Sequence, residues 1–250
     1  MTTTTQSPVG RHDIPGVYNL RDTGGYRAAG GASRARTLYR SDAPHRLDDA
    51  GRARLAELGI TRALDLRGEA EQRAAPSLLG AVGIEIVSLP VFDEADPASV
   101  HRGTQGLAPV YDLMVDERGH RLADAVRIVS RTPRGEAVLV HCTAGKDRTG
   151  LVVAFALLAA GVDRVEAVAD YAQTEDNLRG EWADGMLALV TSHGEEPTPA
   201  IVELMTASPA PMLEALLDRI DAEFGSIHGY LLAHGLTDAD LRRLRTTLIA

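Results

Sequence analysis

The 250-residue chain contains one cysteine, one lysine and one tryptophan; its aromatic residues reach only 4%, and no apolar run exceeds ten residues. Each scarcity excludes something. A single cysteine forms no internal disulfide, so a reducing, cytoplasmic setting is the expected compartment. The longest apolar run, Leu151 to Ala160, is too short to cross a bilayer, which argues against stable membrane insertion. Residues Met1 to Pro8 carry neither the basic patch nor the apolar stretch of a secretion signal, so 1–10 read as a disordered tail. Leaderless export is left open. With 35 acidic against 26 basic residues the net charge is −9, which disfavours nucleic acid or an anionic membrane as partner. A few cations gathered at one pocket would still hold a phosphate-like anion.

What is present is an ordinary globular composition, 44% hydrophobic and 24% charged. With so few aromatics, the core must come from Leu, Val, Ile and Ala. The sequence predicts one domain over 11–250. A strand enters the Gly24-Gly25 turn, and others are expected at Thr37–Ser41, Ile60–Leu66, Ile84–Val91 and Ala137–His141. Helices are expected at Leu47–Leu58, at roughly Pro109–Ser130 and at Arg148–Ala160, the last ended by Gly161. Asp163 and Glu166 have the spacing of a capping box for the next helix. Further helices are expected at Met212–Phe224 and from the Thr237 cap onward. This alternation predicts an α/β fold: a mainly parallel central sheet flanked by helices, with a helical C-terminal part. Between about 177 and 211 the pattern weakens. There Trp182, Met186, Leu187 and Leu189 have helical spacing that suits either core packing or a lid.

The lone lysine, Lys146, lies four positions after the lone cysteine, Cys142. Both sit in the run His141-Cys142-Thr143-Ala144-Gly145-Lys146-Asp147-Arg148-Thr149-Gly150, between a predicted strand and a predicted helix. A strand, a glycine-containing loop and a helix N-terminus form an anion site, because successive backbone N–H groups turn inward at the positive end of the helix dipole. Five residues separate Cys142 from Arg148, which sets a thiol at the base and a guanidinium at the rim, able to grip two phosphoryl oxygens. A thiol held in such a positive site is expected to react as the thiolate. Thr143, Ala144, Gly145, Lys146 and Thr149 would line the bound phosphate. Thr149 is placed to donate to the sulfur, and His141 to brace the loop from behind. The nucleotide-binding loop fails here, since Gly145-Lys146 is followed by Asp147 and position 140 is valine.

These residues resemble the Cys-x5-Arg-Ser/Thr signature of the protein tyrosine phosphatase superfamily. The fuller string is similar to its PtpB-like bacterial branch, tyrosine/serine phosphatases with a phosphoinositide-phosphatase-like loop. Asn19-Leu20-Arg21-Asp22-Thr23-Gly24-Gly25, Leu64-Asp65-Leu66-Arg67, Asp170-Tyr171 and Phe224-Gly225-Ser226 fall in that branch's order, so the likeness covers nearly all the chain after the tail. It implies hydrolysis of phosphate monoesters through a cysteinyl-phosphate, without metal or other cofactor. The expected substrates are phosphotyrosine first, then phosphoserine or phosphothreonine and phosphoinositides. It also implies that Lys146 is an extra cation for highly charged substrates, and that lids occur in such enzymes.

Two carboxylates compete as the general acid. Asp147, inside the loop, is favoured by the resemblance, while Asp93 and Asp96 lie on a segment that would act like a mobile acid loop. Asn19, Arg21 and Asp22 are candidates for the site or for a structural turn, and Arg67 with Glu69 reads as a surface pair. Rival functions are an inert phosphate-recognition module and a small-metabolite phosphatase.

Overall fold

The computed structural model describes residues 10–92, 106–192, 194 and 196–250. Almost all of the 1–10 tail, and both Asp93 and Asp96, therefore lie outside the described residues. Five strands form the central sheet: β1 (Arg21–Asp22), β4 (Leu38–Ser41), β7 (Ala137–His141), β5 (Ile60–Asp65) and β6 (Glu85–Ser88), in that spatial order. β1 is an antiparallel edge, and the other four strands run parallel. A small hairpin, β2 (Arg27–Ala28) with β3 (Gly31–Ala32), lies apart from it. The sheet is thus the mainly parallel one expected.

Central position explains the composition of β7. Its run Ala137-Val138-Leu139-Val140-His141 is buried at every residue, as a parallel strand covered on both faces must be. The chain then passes through the loop into helix α5 (Asp147–Ala160), which is apolar on all sides and buries eleven of its fourteen residues. Gly161 ends it in the left-handed conformation, φ 102°. Around α5 pack α4 (Gly119–Ser130), α6 (Arg164–Leu178), α10 (Ile227–Ala233) and α11 (Asp238–Leu248). Helices α1 (Asp49–Ala56), α2 (Glu69–Ala74), α3 (Leu107–Asp112), α7 (Glu181–Ser192), α8 (Pro199–Thr206) and α9 (Ala210–Phe224) complete the fold. Among the described residues no helix is long and apolar enough to cross a membrane.

Several local expectations are corrected. The helix predicted over 109–130 is two helices separated by a π-turn at Leu113–Glu117. It restarts at Gly119, where a Cβ would stand 2.3 Å from the His234 ring and 2.6 Å from the Tyr230 hydroxyl. Asp163 makes no capping bond; it and Glu166 both face Arg27 instead, at 3.8 and 2.7 Å. Thr237 does cap α11, reciprocally with Asp240. The weakly patterned stretch 177–211 holds α7 and α8, and of their described side chains only Trp182 is buried. Arg67 is no surface residue. It is buried and forked onto Asp65 at 2.7 and 2.9 Å, while exposed Glu69 pairs with Arg73.

Candidate active site

The loop leaves the carboxyl end of β7, between β4 and β5. That end of a parallel sheet is where a crevice opens and ligands bind. Its backbone is held from outside. The Asn19 side-chain amide donates to the carbonyls of Ala144 and Gly145 at 3.1 and 3.2 Å, and Arg40 donates to Gly145 at 2.8 Å. With these carbonyls tied outward, the loop's N–H groups are left to the concave side. Gly145 has φ +66°, and a Cβ there would lie 2.2 Å from the Ser41 carbonyl oxygen, so only glycine fits this close approach.

Behind the loop is a buried ionic group. Arg21 and Arg40 converge on Asp170, at 2.9 and 2.5 Å, and Arg21 also donates to Thr174 at 2.9 Å. Burial alone would raise the Asp170 carboxyl, but the two guanidiniums outweigh it and hold it at about 2. Burial, then the charge of Arg40, lowers Arg21 to about 10, so it stays charged at neutral pH. Two cations against one anion leave the group positive, directly behind an anion-binding loop. Asn19, Arg21 and Asp170, legible only as motif residues, thus support the loop. Asp22 instead accepts from the Gly24 and Arg36 amides at 2.9 and 2.6 Å, which makes it a turn residue.

Cys142 is a free thiol, buried at the base. His141 is fully buried, and its Nδ1–H, in the tautomer the contact requires, donates to the Cys142 carbonyl at 3.3 Å. Burial lowers its imidazole to about 4 against the opposing charge of Asp65, so it is neutral at physiological pH. Arg148 lies across the loop mouth on Glu71, with N–O distances of 2.5 and 2.7 Å, and over the Phe92 ring at 5.6 Å. Glu71 also accepts from the Thr143 hydroxyl, so one carboxylate joins both ends of the loop. Burial would raise Glu71, but Arg148 overrides it and takes the carboxyl down to about 2. A guanidinium carries five N–H donors and Glu71 takes one from each terminal nitrogen, which leaves donors for a ligand. Sequence reasoning missed Glu71. The available signal was its position three residues after Gly68, whose N–H it caps at 3.1 Å.

Asp147 accepts from the Tyr111 hydroxyl at 2.9 Å, and that hydroxyl meets Tyr171 at 2.7 Å. Lys146 approaches the same Asp147 oxygen at 3.0 Å. Its ammonium donates to the Leu204 and Ala207 carbonyls at 3.0 and 2.9 Å. The buried Thr149 hydroxyl has no hydrogen-bond partner among the described residues, so its expected bond to the sulfur is not formed in this state. Beside Thr143 and Glu71 opens a cavity of about 290 Å³, roofed by Trp182, Met186 and Leu189 of α7. Among the described residues no cluster of three or more His, Cys, Asp or Glu side chains is placed to hold a metal ion.

Asp42 lines that cavity. Its buried carboxyl accepts from the Tyr18 and Asn19 amides, both at 2.9 Å, and burial outweighs those bonds and pushes it up to about 7. The folded value lies above the unfolded 3.8, so the protonated form favours folding. That contribution is complete below about 4 and is lost as pH rises through about 7. Asp42→Asn keeps an oxygen for both amides. It is expected to flatten this slope and to stabilise the protein at about pH 8 by on the order of a few kcal/mol. Denaturant midpoints at about pH 5 and about pH 8 check it; a slope equal to wild type would contradict the assignment.

A thiol, a rim guanidinium and a loop with its carbonyls turned out, at the end of a central parallel strand, define a cysteine-dependent phosphatase. The chain belongs to the tyrosine phosphatase family, whose model matches residues 12–250. It is 31% identical over 274 residues to the triple specificity protein phosphatase PtpB of Mycobacterium tuberculosis, covering 95% of this chain and 98% of that one. It is 29% identical over 214 residues to a tyrosine-protein phosphatase of Nostoc commune, covering 81% of this chain and 71% of the relative. Among solved structures, TpbA of P. aeruginosa in complex with pTyr aligns at 20% identity and a TM-score of 0.40 over 75% of this chain and 99% of that one.

Proposed function

We propose that this chain hydrolyses phosphotyrosine in proteins, residues 11–250 acting as a single phosphatase domain. The Cys142 thiolate attacks phosphorus while the P–O bond to the leaving oxygen breaks, and Asp147 supplies that oxygen's proton. Water then attacks the cysteinyl-phosphate, Asp147 takes up its proton, and the S–P bond breaks to release inorganic phosphate. Arg148 and the backbone N–H groups of Thr143, Ala144, Gly145 and Thr149 hold the phosphoryl oxygens where charge develops. The observation that carries this reading is the outward anchoring of the Ala144 and Gly145 carbonyls by Asn19 and Arg40 around a buried free thiol. An inert recognition module has no use for a nucleophile at that point.

Helices α7 and α8, within 177–211, act as a lid over the site, and a low-exposure thiolate is thereby shielded from oxidation. The triple specificity in the name of the mycobacterial relative supports a substrate range that extends to phosphoserine, phosphothreonine and phosphoinositides.

Hydrolysis of a generic aryl phosphate, blocked by orthovanadate, tests the reading; binding without hydrolysis would leave the recognition module. For the acid, Asp147→Asn should lower kcat by about 10²–10⁴-fold and remove the alkaline limb of its pH profile. Asp93→Asn should do neither, and the reverse pattern would move the acid to Asp93.

A further inference from the structure

Lys146 is the chain's only lysine, it stands in the phosphate loop, and its side chain is 2% exposed. An ammonium has three donors, and three acceptors meet this one: the Leu204 carbonyl at 3.0 Å, the Ala207 carbonyl at 2.9 Å and Asp147 Oδ1 at 3.0 Å. The two carbonyls end α8, and a helix C-terminus carries the negative pole of its dipole, which favours a cation there. A buried ammonium so satisfied is a structural tie, since withdrawing it leaves two carbonyls without this donor and the Asp147 carboxylate without its cation.

The segment it ties has little else to hold it. Of the described side chains in α7 and α8 only Trp182 is buried. Leu204 and Ala207 pack partly against the core, and just beyond, the Ser208 hydroxyl donates to the Tyr171 carbonyl at 3.1 Å while its N–H reaches Glu175 at 3.1 Å. A segment with so few buried contacts opens at low free-energy cost unless a few strong bonds close it. Lys146 supplies two of them, and its third goes to Asp147, whose other partner is the Tyr111 hydroxyl.

We propose that Lys146 is a positioning residue that latches the end of α8 onto the phosphate loop and, by the same ammonium, fixes the Asp147 carboxyl. It does not serve as a substrate-binding cation while the latch is closed. The inference rests on the phosphatase reading, because Asp147 matters only if a leaving oxygen needs its proton. It departs from the expectation that this lysine selects highly charged substrates.

Lys146→Met keeps the stem and removes the ammonium. Amide hydrogen exchange in 199–207 should rise by about ten- to a hundredfold, the scale of losing hydrogen bonds to a charged group. The emission of Trp182, the only tryptophan, should shift as the roof loosens. kcat should fall by about tenfold with KM little changed, and by the same factor for p-nitrophenyl phosphate and a bisphosphorylated inositol. Ser208→Ala, which cuts the same segment's bond to Tyr171 and leaves the loop sequence intact, should raise exchange in 199–207 and lower kcat in the same direction. Unchanged exchange in Lys146→Met, with activity lost selectively on the bisphosphate, would overturn the proposal and make Lys146 a substrate cation. Raised exchange with unchanged kcat in both variants would overturn the coupling to Asp147. Failure of the wild type to hydrolyse either substrate would instead remove the phosphatase reading, and the exchange result would still report whether the latch exists.

Discussion

Replacing Cys142 by serine is expected to lower turnover by on the order of 10⁴–10⁶-fold, the scale of removing a covalent nucleophile, with substrate still bound. A serine hydroxyl fills nearly the same volume, so the buried base of the loop should not collapse. The contacts that orient a phosphate come from elsewhere: N–H groups set by the anchored Ala144 and Gly145 carbonyls, and Arg148 held by Glu71. What disappears is the reactive anion. Buried His141 is turned toward the Cys142 carbonyl and is not placed to activate a hydroxyl. Phosphate release and calorimetric binding measured on the same preparation check both halves. Turnover near wild type would remove the mechanism, and loss of binding together with turnover would mean that the sulfur also shapes the loop.

Arg148→Lys should lower kcat/KM by about 10³-fold, because removing a single oxyanion donor already costs about 10²–10³ and this change removes a planar pair. Charge is conserved, so the loss isolates geometry. Glu71 accepts from both terminal nitrogens of Arg148 and from the Thr143 hydroxyl; a lysine reaches one oxygen at most and leaves the other without its cation. The loop should therefore loosen at both ends. Glu71→Gln provides the comparison, since it keeps one acceptor oxygen for Arg148 and should be the milder change in steady-state kinetics. A lysine variant within tenfold of wild type would show that the fork is not what binds the transition state.

The centre of this site was legible in the sequence because its chemistry is local. A strand, a seven-residue loop from Cys142 to Arg148 and a helix are contiguous, and the residue types within them leave few alternatives. The centre of the parallel sheet was legible for the same reason, since its middle strand Ala137–His141 is a short apolar run. The supports were not, because they come from distant parts of the chain. Arg21 meets Asp170 across 149 positions, and Asn19 meets Gly145 across 126. Motif order places such residues in a family but not in contact. Arg67 and Glu69 were assigned to the surface by proximity in sequence, yet Arg67 is buried on Asp65, and it is Glu71 that reaches the loop. Burial of charge depends on the partner that arrives from elsewhere. The helical spacing of Trp182, Met186, Leu187 and Leu189 in α7 was legible, but whether that face enters the core was not: of the described side chains in α7 and α8 only Trp182 is buried.

The central claim is a covalent step at one sulfur. Rapid acid quench of the wild-type protein with an aryl phosphate, followed by peptide mass spectrometry, tests it most directly. A phosphoryl group should appear on the peptide containing Cys142 within the first turnover, decay at the rate of phosphate release, and be absent from Cys142→Ser. Phosphate release in a burst-free reaction with no phosphoryl adduct on Cys142, or an adduct on another residue, would contradict the account.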